Sequence, residues 1–326
     1  MDIDRIKCFA ELHLHLDGSL SVAAVRGLCG YLMMEAPGEE EIHSKLSVSE
    51  GCRDLNEYLE KFAYPCSLLV TYEGIRFAVN NLLRELKGLG HMYAEIRFAP
   101  SKHVGKLSQE EVIRAAIEGL DDNILPAGLI LCCMRGGERA ENLETVRLAG
   151  KYLGRGVCAL DLAGAEALFP ANLYEEEFRL AKSLGVPFTI HAGEACGPKS
   201  IRAALDLGAT RIGHGVRAIE DDELMRELAD KKILLEFCPT SNLNTCVFKS
   251  YSEYPLRKFL RAGVPVCINT DNMAVSDTTL VREFKHLDES LGLSDGEIKT
   301  LLKNAAVYSF APEDVKQRIL GEIERL

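Results

Sequence analysis

Residues 10–18 read AELHLHLDG, two histidines two positions apart in a run that otherwise alternates with leucine. In a strand, residues i and i+2 point the same way. His13 and His15 therefore share one face, Leu12, Leu14 and Leu16 the other, and the run stops at Asp17-Gly18. Two imidazoles that close can hold one metal ion; a polar-out edge strand would show the same pattern. The rest of the chain separates the two readings.

Seven further runs of strand length follow, each ending in a polar residue or glycine: MYAEIRFAPS (92–101), GLILCCMRGG (128–137), VCALDLAGAE (157–166), PFTIHAGE (187–194), TRIGHGV (210–216), ILLEFCPTSN (233–242) and VPVCINTDN (264–272). Helical patterns lie between them, among them LSQEEVIRAAIEGL with a capping box at Ser108 and Glu111, YEEEFRLAKSLG, KSIRAALDLG, DDELMRELADKK and YPLRKFLRAG. Apolar strands alternating with helices predict parallel βα units. Eight of them predict an α/β fold, a closed (β/α)8 TIM-type barrel in a single domain over residues 1–326. Residues 19–90 break the alternation with several helical patterns, including 55–69, and predict a helical lid insertion between the first and second strands. SDGEIKTLLKNAAVYSF and APEDVKQRILGEIERL predict helices that close the barrel.

A length of 326 residues, 47% of them hydrophobic, suffices for one large α/β domain. The net charge of -11 without a basic block argues against a nucleic-acid surface. No apolar run approaches a membrane span. Eleven cysteines without a regular framework, behind a charged start that does not read as a signal peptide, predict a reducing cytoplasm. Oligomeric state is not encoded in any pattern here.

In such a barrel, catalytic side chains sit at the C-terminal strand ends. His13, His15 and Asp17 end the first run, His191 and Glu194 the fifth, His214 the sixth, Asp271 and Asn272 the eighth. Half of the eight histidines thus fall at three strand ends. His43, His91, His103 and His286 lie in helical or loop contexts and read as surface or packing residues. His13, His15, His191 and Asp271 offer three nitrogens and one oxygen, a donor set that suits zinc with a position left open. Glu194, three residues after His191, can lie beside the metal as a general acid or base, and His214 can take or orient the proton of water. The pattern points to metal-assisted hydrolysis at an unsaturated carbon.

HLHLDGSL, HAGE, GHG and NTD, in this order, together with EIRFAPSKH, LCCMRG, LDLAG and CPTSN, resemble the adenosine deaminase family over nearly the whole chain. The resemblance implies a single zinc ion held by His13, His15, His191 and Asp271, and a purine nucleoside as the small-molecule substrate. It implies that Glu194 protonates purine N1, that His214 and Asp271 orient the attacking hydroxide, and that His15 also faces the substrate. Gly164 would meet N3 through its backbone N–H, Asp17 the ribose 5′-hydroxyl, and Tyr58, Leu59 and Phe62 would form a hydrophobic lid. Many family members have Asp-Asp-Pro where this chain has Asp271-Asn272-Met273; an asparagine amide donates to N7 without needing protonation. The reaction implied is conversion of adenosine or 2′-deoxyadenosine to the inosine and ammonia. Rival substrates are adenine, methylthioadenosine and aminodeoxyfutalosine, and a rival of another class is an inactive binding protein on the same barrel. Asp17 speaks against adenine, whose deaminases resemble HLEG at this point, and the absence of any CxxC speaks against a nucleic-acid base deaminase.

Overall fold

The computed structural model describes residues 1–49 and 52–326. Each of the eight apolar runs holds a strand: β1 (Phe9–His15), β2 (His91–Phe98), β3 (Ala127–Met134), β4 (Val157–Ala163), β5 (Thr189–Ala192), β6 (Arg211–His214), β7 (Leu234–Phe237) and β8 (Val266–Ile268). Consecutive strands pair in parallel, β1 through β4 in one ladder and β5 through β8 in another. Two seams join the ladders. The Leu160 N–H donates to the Pro187 carbonyl at 2.9 Å, and beyond β8 the Asp271 N–H donates to His13 O while the His15 N–H donates to Asp271 O, both at 2.8 Å. The sheet is therefore closed, a (β/α)8 barrel without free edges.

The second seam already touches the site. Asp271 is stitched between the two histidines of β1, so closing the barrel brings the first and last strand ends together. The β1–β2 register also shifts between Glu11 and Leu14, setting three residues of β1 against two of β2. A bulge of this kind re-aims side chains, and His13 sits inside it.

The helices follow their local signals. The Ser108 hydroxyl accepts from the Glu111 N–H at 3.2 Å, and the Glu111 carboxylate accepts from the Ser108 N–H at 2.8 Å, completing the expected box over Gln109–Gly119. Ser294 and Glu297 make a second box that starts Asp295–Tyr308, a helix packed on β1 and β8. Glu313–Arg325 closes the chain.

Among the described residues, five α-helices lie between β1 and β2: α1 (Val22–Tyr31), α2 (Glu39–Leu46), α3 (Leu55–Glu60), α4 (Ala63–Leu68) and α5 (Tyr72–Gly88). Residues 50 and 51 of the expected insertion lie outside the described residues. The pattern over 55–69 predicted a helical stretch; the structure divides it at residues 61–62. Pro65 is the reason. It has no N–H to give the Lys61 carbonyl, and its ring crowds that carbonyl, so α3 stops and α4 starts afresh.

Candidate metal centre and active site

The β1 bulge and the β8 seam converge on four donors. Nitrogens of His13, His15 and His191 and an oxygen of Asp271 all lie within 4.8 Å of one another, and all four residues are buried. His13 Nε2 and His15 Nε2 each lie 3.4 Å from Asp271 Oδ1, and His15 Nε2 lies 3.3 Å from His191 Nε2. His13 Nε2 has no hydrogen-bond partner although fully buried. Converging lone pairs with nothing to satisfy them fit a cation.

The far side of two of these rings is held by carboxylates. His13 Nδ1 is 2.8 Å from Glu236 on β7, and His191 Nδ1 is 2.8 Å from Asp161 on β4. Such a partner fixes the tautomer and leaves Nε2 to bind. Burial pushes the His15 imidazole down to about 3 and lowers His191 as well. Neutral rings are what a metal requires. Burial acts on His13 in the same sense, but the flanking Asp271 and Glu236 carboxylates outweigh it and hold its pKa up.

Glu194 and His214 stand next to this set. His214 Nε2 is 3.6 Å from Glu194 Oε2, and Thr245 Oγ1 donates to Glu194 Oε1 at 3.4 Å. Burial, then the Asp271 and Glu166 charges, raise the Glu194 carboxyl well above its usual range. The Tyr254 hydroxyl donates to Asn242 Oδ1 at 2.9 Å, which turns the Asn242 NH2 toward His214 Nδ1 at 3.1 Å. That makes Nδ1 the acceptor and leaves the proton on Nε2. Ser241 donates to Asp271 Oδ2 at 2.7 Å, so only Oδ1 faces the histidines. His214 and Asp271 both carry positive φ, 59° and 61°. Non-glycine residues pay about 1–2 kcal/mol for that conformation, and here it turns both side chains into the barrel mouth.

The mouth is a cavity of about 360 Å³. His15, Asp17, Gly164, His191, Glu194, His214, Asp271 and Asn272 line it from the strand ends, and Tyr58, Leu59 and Phe62 line it from α3 and the α3–α4 junction. His13 lies beneath, with no exposed surface. The candidate metal, catalytic and substrate residues of the sequence thus line or underlie one cavity. Gly18 explains the glycine of HLDG: a Cβ there would come within 1.8 Å of Asn272 Oδ1.

Comparison with known proteins agrees with this geometry. The family model described as "Adenosine deaminase" matches residues 8–326. The chain belongs to the adenosine deaminase family. It is 46% identical over 327 residues to a protein named adenosine deaminase from Haemophilus ducreyi, covering 97% of this chain and 95% of that one. It is 39% identical to one from Enterococcus faecalis, covering 97% and 95%. Among solved structures, the adenine deaminase of Arthrobacter aurescens is similar with a TM-score of 0.87, 27% identity and 98% coverage of both chains.

Several residues of this family member escaped the sequence reading. Arg97, buried on β2, donates to Asp161 at 3.0 Å and to Glu236 at 2.8 Å, tying together the two carboxylates that hold the histidines. Arg211 donates to Glu236 at 2.8 Å and pairs with Glu95 at 2.7 Å. Their signal was present: two charges inside the run EIRF and a single charge inside each of ALDL, TRIG and LLEF. His103 read as a surface or packing residue; it is buried, with Nε2 3.4 Å from Asp17 Oδ2. The Cys66 thiol contacts the same oxygen at 3.7 Å. The other three histidines do lie apart from the site: His43 is exposed, His91 bonds the Leu86 carbonyl, and His286 stacks on Tyr251.

Proposed function

We propose that this chain hydrolyses the 6-amino group of adenosine and 2′-deoxyadenosine, giving inosine or 2′-deoxyinosine and ammonia, with one zinc ion held by His13, His15, His191 and Asp271. The observation that carries the reading is the donor set beside the Glu194–His214 pair in a single cavity. The names of the Haemophilus and Enterococcus relatives support the substrate.

The barrier is loss of purine aromaticity when oxygen adds at C6. Zinc, when bound, supplies the charge that lets water ionise near neutral pH. Glu194, kept protonated by burial and neighbouring carboxylates, presents a proton to N1, and C6 becomes electrophilic as N1 gains it. His214, with its proton on Nε2, donates to the attacking oxygen and orients it, and Asp271 orients it from the metal side. As the C6–N bond breaks, the added hydroxyl gives its proton to the departing amino group and ammonia leaves. N1 keeps the hydrogen from Glu194 in the 6-oxo product, and the proton released when water ionised returns to Glu194.

The remaining residues orient the nucleoside. Gly164, at φ 103°, turns its N–H toward N3. Asp17, with its pKa held down by His103 against the effect of burial, receives the 5′-hydroxyl as a carboxylate. The Asn272 Oδ1 packs against Gly18 without a donor, leaving its NH2 to serve N7. Tyr58, Leu59 and Phe62 form the lid of the 19–90 insertion and exclude water, which strengthens each polar contact below. No helix among the described residues is long and apolar enough to cross a membrane. All eleven cysteines are free.

An ultraviolet assay of zinc-loaded protein on adenosine, deoxyadenosine, adenine and methylthioadenosine tests the reading. Rapid turnover of the first two alone is expected. Turnover of adenine or methylthioadenosine alone would move the substrate, and silence on all four with zinc bound would leave an inactive barrel.

A further inference from the structure

One of the buried carboxylates that the mechanism leaves without a task lies against the active-site turn. Glu166, in the loop after β4, is only 3% exposed, and among the described residues no lysine or arginine is in hydrogen-bond contact with it. Its partners are instead four consecutive backbone N–H groups of the turn after β5. Oε1 accepts from Gly193 at 2.6 Å, and Oε2 accepts from Glu194 at 3.1 Å, Ala195 at 2.7 Å and Cys196 at 3.1 Å.

Successive N–H groups converge in this way only when the backbone folds into a concave nest, with one residue in the left-handed region. Gly193 supplies it at φ 77°, and a Cβ there would come within 2.5 Å of Ile201. Nests of this shape bind anions; here the anion is part of the chain. The neighbouring carbonyls are held as well: Arg135 donates to His191 O at 2.6 Å and Arg217 Nε to Glu194 O at 2.8 Å. Both peptide groups of Glu194 are thereby fixed, its N–H by Glu166 and its C=O by Arg217.

We infer that Glu166 is a positioning residue for the deamination, its carboxylate gathering the 193–196 turn into the arrangement that aims the Glu194 side chain at the purine. The inference rests on the reading of Glu194 as the group that serves N1. The connection reaches further back along the chain, since Glu166 lies two residues after Gly164. One loop thus sets both the backbone N–H offered to N3 and the acid offered to N1, fixing the purine and its proton source in one frame. The Glu166 charge also acts through space, after burial and Asp271, to keep the proton on Glu194. Without it the buried N–H groups of Gly193 and Glu194 lose their acceptor, those of the half-buried Ala195 and Cys196 turn toward solvent, and the turn shifts, carrying Glu194 with it.

The test compares Glu166→Gln, Glu166→Asp and Glu166→Ala in the zinc-loaded enzyme, with Glu194→Gln alongside. Glu166→Gln keeps the size of the side chain and replaces one acceptor oxygen by a donor; if Glu166→Ala does not fold, it carries the test. The readouts are kcat and KM on adenosine, zinc content, inhibition by 1-deazaadenosine, and amide hydrogen exchange. In 1-deazaadenosine a C–H replaces N1, so its binding does not report on Glu194. For Glu166→Gln we expect kcat to fall tenfold or more. KM and the inhibition constant of the deaza analogue should stay within about threefold, with zinc retained and faster exchange confined to residues 193–196. A kcat within twofold of the parent would overturn the inference. So would a loss of kcat matched by loss of zinc and of analogue binding, which is what a purely structural residue would produce. If Glu194→Gln itself retains turnover, the role of Glu194 fails and the inference with it; if Glu194→Gln is inactive and Glu166→Gln is not, only the inference fails.

Discussion

The two sides of the cavity are built on different principles. Beneath the histidines lies a layer of charge: Arg97, Asp161, Glu236, Arg211 and Glu95, each at most 2% exposed and each paired at 3.0 Å or less. Above them, α3 and α4 are six residues each, too short to be stable alone, and reach the barrel through few polar contacts. The Tyr58 hydroxyl meets Ser276 at 2.7 Å, and Ser47 and Val48 donate to the Ala274 and Val275 carbonyls. The lower layer stands on strands whose spacing the barrel ladder sets, so its charges hold the histidines without freedom to drift. The upper layer is apolar cover on short helices. Chemistry is assigned to the rigid side and enclosure to the adjustable one.

The comparison predicts that variants below, between and above should fail differently. The largest effect is expected between the layers. Glu194→Gln should lower kcat by about 10²–10⁴-fold while zinc stays bound; an unchanged kcat would remove Glu194 from the reaction. Its pH dependence has a definite sign. Because burial, Asp271 and Glu166 raise the Glu194 pKa, the acid form persists to higher pH than in an ordinary carboxyl, and kcat should decline as pH rises through the raised pKa. A kcat that rises steadily with pH would contradict a protonated Glu194.

Next comes the charged layer. Asp161→Asn should weaken metal affinity by about 10–100-fold. It also leaves His191 without its buried carboxylate and Arg97 with Glu236 alone, a loss of about 3–5 kcal/mol. Zinc retained after dialysis against a chelator and a denaturant titration measure the two. Parent-like retention would show that the lower layer does not hold the histidines. Phe62→Ala, on the cover, should raise KM several-fold with zinc retained and a smaller change in kcat. If it releases zinc instead, the separation of the two layers breaks. Tyr58→Phe should do least: it removes one buried hydrogen bond to Ser276, worth about 1 kcal/mol, and is read by thermal melting with metal content unchanged.

The barrel and its donors were legible in the sequence for a simple reason. Period-2 alternation in AELHLHLDG, eight apolar runs and polar residues at their ends are local patterns, and a parallel barrel turns every strand end toward one face. The order of the strands then brings His13, His15, His191 and Asp271 together without further information. Pro65 was equally local, and its break in the 55–69 helix follows from a missing N–H.

The rest depended on pairings that no window of sequence contains. Arg97 meets Asp161 across 64 positions and Glu236 across 139; each reads alone as a charge set in an apolar run. Glu166 looks like one more loop carboxylate until the 193–196 turn is folded onto it, and His103 like a stray histidine until Asp17 lies beside it. The sequence by itself determined which groups end the strands, because strand periodicity and helix signals act over a few residues. Only the tertiary structure decided how those groups are held, because a buried charge is defined by its partner, and barrel closure chooses the partner.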